Sequence, residues 1–256
     1  MTITTAPLVE TTQRGGIAWI TLARSHRANA LVPDLLDAVS AALDTATSSG
    51  ARAVVLTGKG QVFSAGGDVR EFRERIGRPA ELHAYSARLV GLLNEVILKL
   101  HTLPVPTVCG LNGALTGGSL GLALACDVRV LHEQAWVQPY YAQMGFAPDG
   151  GWTALLPAFM AAADARSWIA RDEKRNAGRL ARMGLGEGPV SNAHFHDRVQ
   201  DEAERLAHHD PATLITARRL LGPPDLAHRL EAEREAFLDL VQRSDTHQRM
   251  ISFVDG

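Results

Sequence analysis

Two glycine-rich segments constrain this chain more than any other feature: Phe63-Ser64-Ala65-Gly66-Gly67-Asp68, and Asn112-Gly113 through Gly117-Gly118 to Cys126-Asp127. Each follows a short apolar run with strand character, Ala53–Thr57 and Val105–Leu111, and each leads into a segment that can be helical. Glycine lets the backbone take positive φ and lets a ligand approach the main chain closely. A strand–glycine turn–helix unit leaves unpaired N–H groups at the helix N-terminus, with the positive end of the dipole behind them. Two such units in one domain could direct two N–H donors at a single oxygen, an arrangement suited to chemistry at carbonyls and thioesters. Either turn alone reads first as an ordinary α/β connection. Neither is a phosphate loop, because Gly58-Lys59-Gly60 lacks both the spacing and the hydroxyl, and no GxGxxG follows the first strand. Nucleotide cofactors of the usual kinds are not indicated.

A chain of 256 residues is long enough to bury a large core within a single domain. Its 46% hydrophobic and 21% charged residues describe an ordinary soluble globule, and a net charge of −2 argues against a nucleic-acid or anionic-membrane footprint. Met1-Thr2-Ile3-Thr4-Thr5-Ala6-Pro7 has neither a basic segment nor an apolar one, so no secretory signal is expected there, and no apolar run approaches the roughly 20 residues of a membrane helix. Cys109 and Cys126 sit in apolar surroundings, one in a strand and one in a helix. They read as buried small hydrophobes of a reducing, cytoplasmic compartment, not as a disulfide or metal pair.

Pro33 suits a first helical turn, and Leu35, Leu36, Val39, Ala42, Leu43 and Ala46 recur at helical spacing until Gly50. Leu82, Tyr85, Leu89, Leu92, Leu93, Val96, Ile97 and Leu100 predict a second helix, stopped by Pro104 and Pro106. Strands and helices alternate to about residue 170, which favours an α/β fold. Asp172-Glu173-Lys174-Arg175 then reads as a solvated charge run. From Asp197 onward Glu, Arg and Leu dominate at helical spacing, broken at Pro211 and Pro223-Pro224.

Taken together, the two glycine segments resemble the crotonase (enoyl-CoA hydratase/isomerase) superfamily. The likeness runs through Ile17–Leu22, Arg27-Ala28-Asn29-Ala30-Leu31, Ala53–Thr57, Phe63–Asp68, Pro104–Gly110, Asn112–Asp127 and Gly145-Phe146-Ala147-Pro148-Asp149-Gly150-Gly151, in the family's order. A weaker likeness reaches Pro211–Leu221 and Ile251–Val254. The resemblance implies a spiral of strand–strand–helix turns over residues 1–195 and a C-terminal helical trimerisation region over 196–256. It also implies a homotrimer or homohexamer that binds acyl-CoA, with no cofactor beyond the CoA carried by the substrate.

By the same resemblance the amides of Ala65 and Gly118 would polarise the thioester carbonyl. Arg24, Arg27, Ala28, Ala30, Ser64, Gly66, Gly67, Asp68, Leu115, Gly117, Tyr140 and Tyr141 would form the substrate-binding surface, with Arg24 and Arg27 able to meet CoA phosphates. The family's hydratases use two glutamates, whose positions are Gly121 and Tyr141 here, so ordinary hydration of enoyl-CoA loses both acid/base groups. Asp149 supplies a carboxylate at a turn where isomerases that move a double bond or rearrange a ring epoxide carry their base. A base in an apolar pocket has a raised pKa, suited to proton transfer near neutrality. On residue grounds alone Asp149 reads as well as an N-cap for a helix beginning near Gly150.

Tyr140, Tyr141, Trp136 and Trp152 are candidates for an acyl pocket able to take aromatic groups, or for plain core packing. His194-Phe195-His196 reads as a solvated loop, because no third metal ligand is near, and His208-His209-Asp210 as a helix end. Ser64 has no GxSxG context for a nucleophile. The leading expectation is therefore an acyl-CoA isomerase. The alternatives are a hydratase, an aspartate-nucleophile aryl-CoA dehalogenase or hydrolase, and an RNA-binding member of the same fold, against which the charge balance argues.

Overall fold

The computed structural model describes residues 6–255. Met1–Thr5, which carry most of the reading of no secretory signal, lie outside the described residues. Two strands open the described residues, β1 (Val9–Arg14) and β2 (Ile17–Leu22), followed by α1 (Pro33–Ser48), which starts on Pro33 and is capped at its end by Ser49, before Gly50. Next come β3 (Ala53–Gly58), β4 (Val62–Ser64), α2 (Val69–Arg73) and the long α3 (Pro79–Thr102), which carries the apolar stripe expected from sequence.

The second glycine segment contributes β5 (Thr107–Leu111), β6 (Ala114–Thr116), a single 3-10 turn over Gly117–Ser119 and α4 (Leu120–Leu124). The third turn is β7 (Val128–His132), β8 (Trp136–Gln138) and α5 (Tyr141–Met144). After it come α6 (Ala162–Arg171), β9 (Arg175–Asn176), α7 (Ala177–Arg182) and β10 (Glu187–Val190). Four helices close the described chain: α8 (Phe195–Ala207), α9 (Pro211–Leu221), α10 (Leu226–Val241) and α11 (Ser244–Asp255).

The turns place alternate strands in two sheets. The larger has the order β1-β2-β3-β5-β7-β10, parallel except for the β1–β2 hairpin, and the smaller β4-β6-β8-β9. Within the smaller sheet β4, β6 and β8 run parallel. Each passage from β3 to β4, β5 to β6 and β7 to β8 therefore crosses from one sheet to the other, the strand–strand–helix spiral that the resemblance implies. Period-two alternation then covers both faces of the large sheet. Ala18, Ile20, Val54, Leu56 and Cys109 face the main core, while Ile17, Trp19, Ala53, Val55, Val108 and Val130 face Phe195, Val199, Ala203 and Leu206 of α8. α10 packs along α3, where the Asn94 side-chain amide donates to Leu230 O at 2.9 Å.

Three local expectations change. Cys126 lies just past α4, not inside a helix, although it is buried and free like Cys109. Asp172 and Arg175 are buried (8% and 7% exposed), so the charge run at 172–175 is not solvated throughout. Arg175 lays its guanidinium over the Trp168 ring at 4.2 Å. His194–His196 is the start of α8, not a loop.

Candidate active site

The two glycine turns meet backbone to backbone. Gly66 has φ +74°, and a Cβ added there would stand 2.8 Å from Thr116 O, so only glycine lets the first turn lie against the second. The hydroxyl of Ser119 reaches Thr116 O at 2.7 Å and Ser64 O at 3.2 Å, joining the two turns from beneath. Above them opens a cavity of about 310 Å³, lined by Ala28, Ala65, Gly66, Gly67, Gly117, Gly118, Trp136, Tyr140, Tyr141, Asp149 and a set of apolar side chains.

Which amides face that cavity unpaired differs in part from expectation. Ala65 N donates to Ala28 O at 3.0 Å, so its N–H is already taken. Leu31 N donates to Gly66 O and Asp68 N to Leu31 O. Gly67 N, between them, has no acceptor among the described residues. The amide of Gly118, in the first turn after Thr116, has none either, as the opening of a helix requires. Gly67 and Gly118 thus each offer an amide at the cavity, and in the first turn the donor is not Ala65 but its neighbour two residues on.

Asp149 is 7% exposed, and its carboxylate lies against Gly118: a Cβ on that glycine would be 2.8 Å from Oδ1 and 3.1 Å from Oδ2. Burial pushes its pKa up to about 7, while the Tyr141 hydroxyl, donating to Oδ1 at 2.7 Å, works against that rise. The same hydroxyl stands 2.9 Å from Asp149 O. The amides of the following turn are not capped by Asp149. Glu233, from α10, accepts Gly151 N at 2.8 Å, Thr153 N at 2.6 Å and Ala154 N at 2.9 Å. The segment after Gly150 is a series of turns, not a helix.

The remaining expected residues divide. Ala28, Gly66, Gly117, Tyr140 and Tyr141 line the cavity. Ala30, Ser64 and Leu115 are buried behind it, Ser64 donating to Asn29 O at 2.8 Å. Arg24 and Arg27 are directed to Asp68, at 2.8 and 3.3 Å. Arg24 also donates to Ala30 O at 3.2 Å, so it clamps the loop instead of presenting a free cation. Asp68 in turn accepts Arg70 N and caps α2. Trp152 is fully buried and donates to Gly117 O at 2.8 Å, supporting the glycine turn from the core.

One wall of the cavity is built by residues not singled out from sequence. Phe72, Phe146 and Phe237 form a triangle of rings with centroids 5.8, 5.8 and 5.0 Å apart. They come from three distant segments, which periodicity cannot join. Glu233 was missed too, although α10 carries a signal for it. It occupies the apolar stripe Leu226, Leu230, Glu233, Phe237 and Val241, where an acid demands a buried partner. Tyr140 is held at φ +63°, a backbone region costly for an aromatic residue, by the Asp172 carboxylate accepting its N–H at 2.6 Å.

Comparison with known proteins bears on this arrangement. Residues 12–255 match the family model for enoyl-CoA hydratase/isomerase. The chain is 31% identical over 193 residues to 4-chlorobenzoyl coenzyme A dehalogenase-2 of an Arthrobacter species, covering 75% of this chain and 69% of that protein. It superposes on the crystal structure of an enoyl-CoA hydratase from Bacillus halodurans with a TM-score of 0.88 at 21% identity, covering 96% of this chain and all of that one. An enoyl-CoA hydratase from Polaromonas sp. JS666 gives a TM-score of 0.77 at 27% identity over 96% of each chain. The matched span takes in both glycine turns, Asp149 and Glu233. The chain belongs to the enoyl-CoA hydratase/isomerase family and is an acyl-CoA-processing enzyme of the crotonase superfamily.

Proposed function

We propose that this enzyme isomerises apolar, ring-bearing acyl-CoA thioesters through a thioester enolate. The observation that carries the reading is that Asp149 is the one carboxylate lining the cavity among the described residues, and it lies beside the free amide of Gly118. The thioester oxygen accepts from Gly67 N and Gly118 N. Asp149 takes a proton from C2, the charge moves onto that oxygen, and the two amides stabilise it. Removing one such donor typically costs about 10²–10³ in rate. Asp149 then returns the proton at C4, or the enolate collapses within the ring system. One carboxylate suffices for both halves, and a group that titrates near 7 can both take and return a proton. The reaction needs no cofactor beyond the CoA of its substrate.

Hydration is disfavoured by the space around Gly121. A Cβ there would stand 2.3 Å from Gly150 O and 2.4 Å from Ile97 Cδ1, so no side chain fits without moving the Asp149 turn. The ring-bearing acyl group is supported by the Phe72–Phe146–Phe237 wall, since aromatic faces and edges pack against rings at such separations. The test is hydrogen–deuterium exchange at C2 across a panel of arylacetyl-, alicyclic and straight-chain acyl-CoAs. Exchange without net hydration, fastest for ring-bearing substrates, is the expected outcome; hydration of crotonyl-CoA at a rate typical of enzymes, about 10 per second, would overturn it.

A second reading rests on the named Arthrobacter dehalogenase: the Asp149 carboxylate attacks a halogen-bearing ring carbon of an aryl-CoA, halide leaves, and water hydrolyses the resulting aspartyl ester to a phenol and the free carboxylate. Single turnover in ¹⁸O-water separates the two, because only an aspartyl ester leaves label in the protein. We infer an oligomer as well. Leu220 and Leu221 on α9 are 73% and 81% exposed, which supports assembly through the C-terminal helices into trimers, or hexamers of two trimers. Light scattering on the native protein and on Leu221→Asp reads this directly.

A further inference from the structure

We propose that Glu233 is a positioning residue for Asp149, making α10 part of the catalytic apparatus as well as a packing element. This rests on reading Asp149 as the proton shuttle. Glu233 is 4% exposed, and its two oxygens gather four donors from one turn. Oε2 accepts Gly151 N at 2.8 Å, and Oε1 accepts Thr153 N at 2.6 Å, Thr153 Oγ1 at 2.7 Å and Ala154 N at 2.9 Å. The turn these bonds hold begins immediately after Asp149.

That turn has little freedom on its other side. Gly150 has φ +59°, and a Cβ there would stand 2.1 Å from Gly118 O. The turn is therefore pressed onto the glycine whose amide faces the thioester, and Glu233 grips it from the far side. Position of the base relative to the oxyanion donors is thus set between α10 and the second glycine turn. Tolerances of a fraction of an ångström matter for proton transfer. One helical turn beyond Glu233, Phe237 lines the same cavity, so a single helix carries both the brace and part of the acyl wall.

A carboxylate suits this place better than an amide. Four donors converge on it, so glutamine would have to turn its NH₂ toward either Gly151 N or the Thr153 pair. The charge also acts on Asp149. The groups that face Asp149 electrostatically are the Tyr141 phenol from α5 and the Glu233 carboxylate from α10; Tyr141 favours the ionised form and Glu233 disfavours it. Burial raises the pKa of Glu233 itself, and its four hydrogen bonds oppose that rise.

The experiment compares wild type with Glu233→Gln by two readouts. C2 exchange is followed against pH with saturating acyl-CoA, and the Asp149 carboxyl is titrated by ¹³C NMR in aspartate-labelled protein, its signal assigned by loss in Asp149→Asn. Glu233→Gln should lower kcat for exchange about tenfold or more, leave KM within about twofold, and move the Asp149 midpoint down by about one pH unit as a like charge disappears. A lower melting temperature with kcat and midpoint both unchanged would overturn the proposal, since a purely structural brace predicts that pattern. If Glu233→Gln is insoluble, Thr153→Val removes one donor at an exposed position and should lower kcat a few-fold at unchanged KM; wild-type exchange in that variant would also overturn it. Absence of exchange in the wild type would sink the isomerase reading alone, because the NMR midpoints still report whether Glu233 acts on Asp149.

Discussion

The hydroxyl of Tyr141 donates to Asp149 Oδ1 at 2.7 Å inside a largely apolar cavity, and it is the one hydrogen bond the carboxylate accepts from another residue's side chain among the described residues. It stabilises the ionised carboxylate, whereas burial and Glu233 oppose it. In the proposed reaction Tyr141 thus acts as a donor to the base and not as a second base. Tyr141→Phe removes the donor and leaves the burial. The Asp149 midpoint should rise above its present value of about 7. A base must be ionised to act, so C2 exchange at pH 7 should fall about fivefold for the first unit of rise and about tenfold for each further unit, and recover as the pH is raised past the new midpoint. A pH–rate profile checks this; an acid limb that stays in place would show that the hydroxyl does not tune the base.

Placing a glutamate at Gly121, where the resemblance expects one in hydratases, should fail for a steric reason. Gly121 meets Gly150 O and Ile97 within 2.4 Å of where its Cβ would be. Gly121→Glu should therefore displace the Asp149 turn and abolish C2 exchange, without creating crotonyl-CoA hydration. Soluble Gly121→Glu protein that hydrates crotonyl-CoA would show that the turn can move aside.

Much of this site could be read from the chain, and the part that could not has a common cause. The glycine turns, the flanking strands and the helices from Pro33 and around Leu82–Leu100 are local patterns, and they appear where periodicity puts them. Which amide of the first turn is free is not local. It depends on Ala28, held at φ +52° in a separate loop, placing its carbonyl on Ala65 N. The grip of Glu233 on residues 151–154 spans about eighty positions, and the aromatic wall joins Phe72 of α2, Phe146 of the loop after α5 and Phe237 of α10. Asp172 is misjudged for the same reason. In sequence it belongs to a charge run, and in the fold its carboxylate fixes the backbone of Tyr140 at the cavity edge.

Arg24 is expected to matter for stability more than for CoA affinity. Its side chain is 11% exposed and its partner Asp68 6%, so the pair is largely buried. Arg24→Ala would leave Asp68 with the more distant Arg27 and strip the loop carbonyl of Ala30 of its donor. Breaking a buried pair typically costs about 3–5 kcal/mol. Urea unfolding should show a loss of that order, discounted for the remaining Arg27, while calorimetric affinity for acetyl-CoA in the folded variant changes less than about threefold. A tenfold loss of affinity at native stability would return Arg24 to the CoA-binding surface.

Asp149 itself should carry a pH-dependent cost to the fold. Its pKa is about 7 folded against an ordinary 3.8. Below about pH 4 the carboxyl is protonated in both states and contributes no penalty. Between those values the folded protein keeps a proton that the unfolded chain has lost, so this group's contribution to stability falls as pH rises; above about 7 the penalty is constant. Each unit is worth about 1.4 kcal/mol. Asp149→Asn, nearly isosteric and without charge, escapes the penalty. Its stability relative to wild type should therefore improve by about 3 kcal/mol between pH 4.5 and pH 8, and Asp149→Ala should show the same trend from a lower baseline because it leaves the Tyr141 hydroxyl without its side-chain acceptor. Both variants should lose C2 exchange by about 10² or more. A helix cap predicts otherwise: Ala would lose about 1 kcal/mol, Asn almost nothing, and neither difference would grow with pH. Since Glu233, not Asp149, takes the amides of that turn, the growing advantage of Asn at alkaline pH is the expected result. Urea unfolding at the two pH values decides between them.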